Sequence, residues 1–519
     1  MSLIARNTLF LTVAKFFSVA IYAVFGLALP RFFGDARADE VGLYTLLSSL
    51  LFFGSMLTSF GIPLIVTREI ARASEKAPQL LARGRAGMLL GYALSVVLLG
   101  GWLLIEAWKR GTLTPELFWA EEGRTLVLFA MVMGIVFFDA MGSLGDAVFQ
   151  GFERMALPAA IEILTGLLRA GGAFLVLVLA PVETKLIAIY LCFLVGAGVR
   201  GVLLPRLVRT RLLKGARGGK VTLAEAWQTI VSSGFIALFR MLRMLRNRLD
   251  VLLMGVLYVS LVPGVADADV DVARAIYGQA LRVAIVFHTV TMAFNTALFP
   301  RLARLTGDDG SRDGARALYS RAVRWQAFWA IPLAVGIFFY ADVIASWFGE
   351  IYAAGSPEAG VPHSTGLVLR ILLVAVLFDC LGGPVGSLIL GEKSMERKIP
   401  MLGGVVAGTN LVLNLFLIPR YGILGAAIAS ATTAAVELMV KLGLVGRLYG
   451  SPLPVMLRTW PYYALAGLMA AGLIVTRAEE HWFLGAVLGA GFYLSACILT
   501  RQVDPAVIQI LRRKLGRTG

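Results

Sequence analysis

The stretch FRMLRMLRNRLD, ending at Asp250, places Arg240, Arg243, Arg246 and Arg248 inside a segment that is otherwise apolar from Ile230 to Val262. On a helix, residues three and four apart are neighbours, so Arg240, Arg243, Arg246 and Asp250 share one face and Arg248 points roughly the opposite way. A row of guanidiniums is chemistry for anions, because the planar fork grips phosphate oxygens in pairs. Asp250, four residues after Arg246, can neutralise that arginine when no anion is present. Other apolar runs carry Lys15, Asp139, Glu162, Arg169, Arg282, Arg324, Asp379 and Glu437, with His288 in the same run as Arg282. Asp139, Glu162 and Asp379 are either groups that couple to a proton or Na+, since a carboxylate in a dry cavity has a raised pKa, or halves of structural ion pairs. His288 is either a proton relay or a hydrogen-bonded packing residue.

Which chemistry applies depends on the solvent around these segments. The chain has 519 residues, 58% hydrophobic and only 15% charged, with mean hydropathy +0.80. Soluble domains carry about 25% charged residues. Apolar runs of spanning length recur from end to end, each matching the ~20 residues that a hydrocarbon core of about 30 Å requires. The segment beginning at Met1 runs apolar to about Pro30, too long for the hydrophobic region of a signal peptide. The sequence therefore predicts an all-α integral membrane protein, because a lipid-exposed backbone must satisfy its own hydrogen bonds. The short alternating segments of a β-barrel are absent.

Fourteen spans are predicted, at about 8–31, 42–66, 86–107, 125–146, 158–180, 184–205, 228–262, 275–300, 322–345, 366–390, 400–418, 422–446, 460–476 and 482–500. With the N-terminus in the cytoplasm, Lys and Arg collect strongly in cytoplasmic connections, as the positive-inside rule requires. The formal charge of +16, from 48 Lys+Arg against 32 Asp+Glu, follows from that bias and does not imply nucleic acid. Both termini then lie in the cytoplasm, and residues 505–514 form a basic amphipathic segment suited to anionic headgroups. The first twelve spans read as two related halves. Residues 33–44 resemble 265–277 in pattern, each opening a span that closes on a basic connection. This predicts an N-terminal lobe over 1–220, a C-terminal lobe over 221–450, and two added helices with a basic tail over 451–519. Internal repeats with a central site are a common way to build a transporter.

Several chemistries are excluded. Cys192, Cys380 and Cys497 lie far apart within apolar spans and form no disulfide framework or metal spacing. Gly196-x-Gly198-x-x-Gly201 fits a dinucleotide pattern but sits inside an apolar span, so it is helix packing. The glycines before Lys220 are one residue too close for a phosphate loop, and Val221 stands where Ser or Thr is needed. No cofactor is implied. An Arg-x-x-Arg-x-x-Arg voltage sensor would need a pore pattern that is missing. Arg240 can instead snorkel to headgroups, and Asn410 and Asn414, one turn apart, are expected to bond across helices.

The run Asn410-x3-Asn414-x4-Pro419-x-Tyr421-Gly422-x2-Gly425-Ala426-Ala427 resembles the polysaccharide (lipid-linked oligosaccharide) flippases of the MATE-like, or MOP, exporter superfamily. Arg31-Phe32-Phe33-Gly34 through Gly42-Leu43-Tyr44, then Gly61 and Arg68-Glu69, is similar to that family's first-to-second-span signature. Leu249-Asp250, Gly255 and Tyr277 are similar to its seventh-to-eighth-span signature, and Pro300-Arg301 also fits. The resemblance covers nearly the whole chain. It implies fourteen spans in two pseudo-symmetric six-helix lobes around a central cavity. It also implies a multi-pass inner-membrane flippase, not an enzyme, that moves a polyprenyl-pyrophosphate-linked oligosaccharide to the outer leaflet by alternating access, for cell-surface polysaccharide biosynthesis. Lipid II flippases and multidrug or cation antiporters share the fold and are the alternatives. A membrane glycan polymerase or ligase would need a sizeable outer domain, and the longest outer connection, 341–365, is short. The expected substrate-binding set is Arg243, Arg246, Arg240, Arg282, Lys15 and Arg169. The coupling or ion-pair set is Asp250, Asp139, Glu162 and Asp379. The expected partners are the lipid-linked glycan, membrane lipids, the glycan polymerase and chain-length machinery, and H+ or Na+, with the protein acting as a monomer.

Overall fold

The structure is a computed structural model that describes residues 21–22, 24–109, 123–152, 154–216, 218–219, 221–231, 242, 248–262, 269–306, 311–392, 395, 398–476 and 481–502. Among these residues there are helices and no strand. Among the described residues nine helical stretches are long and apolar enough to cross a membrane. Their outward faces carry large apolar side chains in the open, such as Val97, 69% exposed, and Leu499, 82% exposed. A soluble monomer rarely exposes contiguous apolar surface on that scale; with so many spanning helices, the surrounding solvent is lipid, and the chain is a multi-pass membrane protein.

The chain divides into two compact units, residues 1–278 with 358–361, and residues 279–357 with 362–519. The first contains α1 (Val24–Phe33), α2 (Ala38–Ser59), α3 (Ile62–Arg72), α4 (Ala77–Lys109), α5 (Gly123–Gly151), α6 (Ala156–Gly166), α7 (Gly172–Leu179), α8 (Val182–Leu207) and α9 (Leu249–Leu257). It also takes the first two turns of α10 (Val270–Leu305). Residues 358–361 join this unit because the amides of Leu261 and Asp269 donate to the carbonyls of Gly360 and Ala359, at 3.5 and 3.0 Å.

Local chemistry sets the breaks. α2 ends where Phe60 (φ 40) and Gly61 (φ 74) turn left-handed, and Pro63 then starts α3, where a missing amide costs nothing. α3 is amphipathic: Ile62, Val66 and Ile70, spaced by four, are buried against Met141, Leu144 and Val148 of α5. Between α6 and α7 the helix continues through a π turn, Leu167–Gly171. Such turns insert an extra residue and recur at functional sites; this one carries Arg169.

The second unit holds the rest of α10, then α11 (Arg312–Phe339), α12 (Ala341–Ser346), α13 (Glu350–Ala354), α14 (Thr365–Gly391), α15 (Ile399–Tyr449), α16 (Leu453–Leu457), α17 (Trp460–Val475) and α18 (Trp482–Leu499). α15 is 51 residues long but is broken at Gly422, whose φ 56 and ψ −130 are accessible only to glycine. The break separates the spans expected over 400–418 and 422–446. A Cβ on Gly425 would collide with the carbonyl of Leu417, so the Pro419-x-Tyr421-Gly422-x2-Gly425 spacing describes a folded-back hinge.

The span expected over 228–262 differs. Residues 223–231 are helical, and α9 follows the undescribed stretch, preceded by Arg248 at φ −145, ψ −2 and followed by extended Tyr258, whose hydroxyl donates to Gly360 O. The helical register of Asp250 therefore does not extend back past Arg248. The assumption of one uninterrupted helix through the arginines fails there.

Candidate functional site

Of the expected substrate residues, Lys15, Arg240, Arg243 and Arg246 lie outside the described residues. Arg169 and Arg282 are described, as are Asp139, Glu162, Asp250 and Asp379 from the coupling set. Three of these come together. Asp139 of α5 accepts two bonds from Arg169, one oxygen from each terminal nitrogen, at 3.0 and 2.5 Å. Arg200 of α8 joins the same carboxylate at 3.3 Å, bonds Asp146 two turns further along α5, and lies 3.6 Å from Glu162 of α6. All five side chains are partly buried.

Each member has a structural reason for its position. The π turn carries Arg169 on the α6–α7 span, and Gly196 of α8 leaves room for its stem, because a Cβ there would overlap Arg169 Cγ. Gly142 leaves room for the Arg200 stem in the same way. Gly201 lets α8 approach the carbonyl of Phe138, at 2.5 Å from where a Cβ would sit. The Gly196-x-Gly198-x-x-Gly201 pattern is thus helix packing that also houses an arginine. Chemically the cluster sets three carboxylates against two guanidiniums.

A second network is fully buried. Arg274, with 0% exposure, donates from both terminal nitrogens to Glu106 of α4 at 2.8 and 2.9 Å, and from one of them to Asp271 at 2.9 Å. Its Nε reaches Val251 O, and Trp102 lies 5.8 Å from the guanidinium. Gly255 of α9 sits directly against this pair, and a Cβ there would overlap both Arg274 and Glu106. One turn on, the Tyr277 hydroxyl donates to Asp250, whose other oxygen accepts from the Val251 amide at 2.9 Å. The described partner of Asp250 is therefore a phenol from α10, and Arg246, the partner expected from sequence, lies outside the described residues. Tyr277 and Gly255 of the seventh-to-eighth-span signature both serve this arrangement.

In the second unit Arg282 is half-buried and bonds the Gln279 side chain three residues earlier on α10. Asp379 on α14 is half-buried, and its neighbour Cys380 shares a hydrogen with Thr291 at 2.8 Å. Glu437 pairs with Lys441 at 2.6 Å along α15. The Asn414 amide donates to the Asn410 backbone and side-chain oxygens, at 2.9 and 3.1 Å. Those asparagines bond within their own helix, where a bond across helices was expected. His288 is half-buried.

Sequence reasoning passed over Arg200, Asp146, Glu106, Arg274 and Asp271. Arg200 was absorbed into a glycine pattern, and Glu106 and Arg274 sit near predicted span ends, where charge is ordinary. The signal that could have found them is a glycine one or two turns from a charge within a span, as at Gly196, Gly201 and Gly255.

This fold and these residues were compared with known proteins. The structure is similar to a lipid II flippase MurJ in an inward closed conformation, with TM-score 0.71 over 95% of this chain and 99% of that one, at 14% identity. It is similar to an inward-facing multidrug resistance MATE transporter of the MOP superfamily, with TM-score 0.57 over 85% and 98% of the two chains, at 15% identity. A MOP superfamily transporter from Pyrococcus furiosus, described as having a binding pocket of reverse polarity, matches with TM-score 0.53 over 85% and 96%, at 15% identity. At such identities these likenesses establish the fold alone. The probable flippase AglR of Haloferax volcanii is 29% identical over 156 residues, 30% of this chain and 31% of that protein. The aligned stretch thus spans less than a third of that relative. The family model described as polysaccharide biosynthesis protein matches residues 4–306. That match takes in more than half of the chain, including both buried ion-pair networks, and the chain belongs to the polysaccharide biosynthesis protein family.

Proposed function

We propose that the protein is a flippase that carries a polyprenyl-pyrophosphate-linked oligosaccharide from the cytoplasmic to the outer leaflet. The family match over 4–306 is the observation that carries this reading. The relative named a probable flippase and the MurJ-like and MATE-like fold support it. On this proposal the chain makes fourteen spans, with two six-helix lobes over 1–220 and 221–450 that work by alternating access, and two added helices with a tail over 451–519. It works as a monomer in the cytoplasmic membrane with both termini in the cytoplasm, and it receives its cargo from glycan-assembly enzymes and passes it to polymerase and chain-length machinery.

Arg240, Arg243, Arg246, Arg282, Lys15 and Arg169 supply cations for the pyrophosphate, with Arg243 and Arg246 the central pair. Asp139 and Glu162 serve as coupling groups for H+ or Na+, supported by their meeting at the partly buried Arg200. Asp250 and Asp379 complete the coupling set. The test is export of surface glycan in cells carrying Arg243→Ala or Arg246→Ala. The expected result is loss of export while membrane levels of the protein stay normal. Normal export in both variants removes the site assignment, and resistance to cationic dyes on overexpression, without glycan export, replaces the flippase with an antiporter.

A further inference from the structure

A second cationic site lies in the second unit, and none of its described lining residues belongs to the substrate or coupling sets. A cavity of about 680 Å³ is lined by Arg316, Arg321 and Arg324 of α11, Arg458 just after α16, and Arg501 just after α18. Asp313 is the sole carboxylate among its described lining residues. The ends of the chain segments are tied together around it: the Tyr462 hydroxyl of α17 donates to Gln502 O at 3.1 Å, and Trp325 stacks on Phe328 with ring centroids 5.6 Å apart. Arg501 takes a left-handed backbone conformation, φ 55, which non-glycine residues seldom adopt.

Arg316, Arg324, Arg458 and Arg501 set four guanidiniums against Asp313 and repel one another unless an anion joins them. Among the described residues, Arg316, Arg324, Arg458 and Arg501 form no ion pair with a carboxylate, and Arg324 Nε is buried with no hydrogen-bond partner. This contrasts with Arg169, Arg200 and Arg274, each held by at least one carboxylate. The chain beyond Gln502 does not redress the balance by side-chain charge, since Arg512, Arg513, Lys514 and Arg517 outnumber Asp504. The start of α11, the start of α17 and the end of α18 meet at this cavity, and the ends of spanning helices fall near headgroup depth, where tryptophan is also favoured. Its volume is that of a small-ligand pocket.

The geometry points to a binding site for a phosphate-bearing anion, either the headgroup of an anionic phospholipid or a free phosphate or pyrophosphate. Several arginine forks converging on one cavity match the oxygens of such a group, which accept bonds in pairs. The site stands apart from the transport reading, and its test does not involve transport.

The full-length protein in an uncharged maltoside detergent is titrated separately with phosphatidylglycerol, phosphatidylcholine and sodium pyrophosphate, and thermal unfolding is followed by tryptophan fluorescence. The expected result is a saturable rise in midpoint with phosphatidylglycerol or with pyrophosphate, none with phosphatidylcholine, and an apparent affinity at least tenfold weaker in Arg316→Gln/Arg324→Gln/Arg458→Gln. A rise with phosphatidylglycerol alone assigns a lipid headgroup, and a rise with pyrophosphate alone assigns the soluble anion. No rise with either, or equal affinity in the parent and the triple variant, overturns the site. If the triple variant does not fold, the exposed positions carry the test singly: Arg316→Gln and Arg458→Gln should each weaken the affinity at least threefold, and unchanged affinity in both overturns it.

Discussion

Replacing Arg274 with methionine tests whether the buried network in the first unit holds that unit together. Arg274 is fully buried, and the Glu106 side chain that it bonds at 2.8 and 2.9 Å is only 4% exposed. Methionine fills much of the arginine stem but takes both guanidinium hydrogen bonds away from the buried Glu106 carboxylate. Removing one partner of a buried pair costs about 3–5 kcal/mol, because the desolvation of the remaining charge is no longer offset. Asp271, 17% exposed at its side chain, is still reached by solvent and adds less. Removing both charges, in Arg274→Met/Glu106→Leu, leaves only the partly solvated Asp271 parted from Arg274, and replacing a buried pair with apolar groups of similar volume is often neutral. The double variant should therefore recover to within about 1 kcal/mol of the parent. Unfolding by urea in detergent micelles, followed by tryptophan emission, measures this, and Trp102 at 5.8 Å from the guanidinium is a local reporter. A loss under about 1 kcal/mol for Arg274→Met, within the range of an ordinary surface pair, would refute the reasoning. So would a double variant as unstable as the single one.

Two further substitutions use the same unfolding measurement. Gly422→Ala forces a side chain into φ 56, ψ −130 at the break in α15 and should cost about 1–3 kcal/mol. Gly443→Ala, in a regular part of that helix where a Cβ meets nothing within 4 Å, should be neutral or stabilising; equal losses at the two positions would show that the break is unimportant. Tyr277→Phe deletes the hydroxyl that donates to Asp250, which is 1% exposed, and should cost about 1–3 kcal/mol. Adding Asp250→Asn removes the stranded charge and should return part of that loss, and no recovery would mean the phenol acts only by packing.

Much of the fold is written in composition and run length, because a bilayer forces every spanning segment to be helical and apolar. The breaks were only partly legible. Pro419 and Gly422 marked the hinge in α15, but nothing in the apolar run after Ile230 announced that regular helix begins at Leu249 with Arg248 outside it. Asp139, Glu162 and Arg169 stood out as charges in apolar runs, and both roles for them were open. Their meeting on Arg200 was not legible, because it depends on a π turn that shifts the helical register at Arg169 and on glycines of two other helices. Periodicity arguments assume 3.6 residues per turn throughout, and one inserted residue rotates everything after it.

An arginine within a membrane is defined by what already occupies its fork. The two terminal nitrogens of Arg169 hold Asp139, and those of Arg274 hold Glu106, so neither can take a phosphate without first giving up a carboxylate. For Arg274 that exchange would strand a fully buried glutamate, which makes it a structural residue. For Arg169 the cost is lower, because Asp139 keeps Arg200 as a second partner at 3.3 Å and both side chains are partly open. Arg169 therefore fits the proposed substrate set only as a cation that trades one anion for another. That trade would leave Arg200 as the guanidinium shared by Asp139, Asp146 and Glu162. If Asp139 and Glu162 are the proposed coupling groups, substrate binding and ion uptake at this cluster are linked, and each changes the affinity for the other by the same factor.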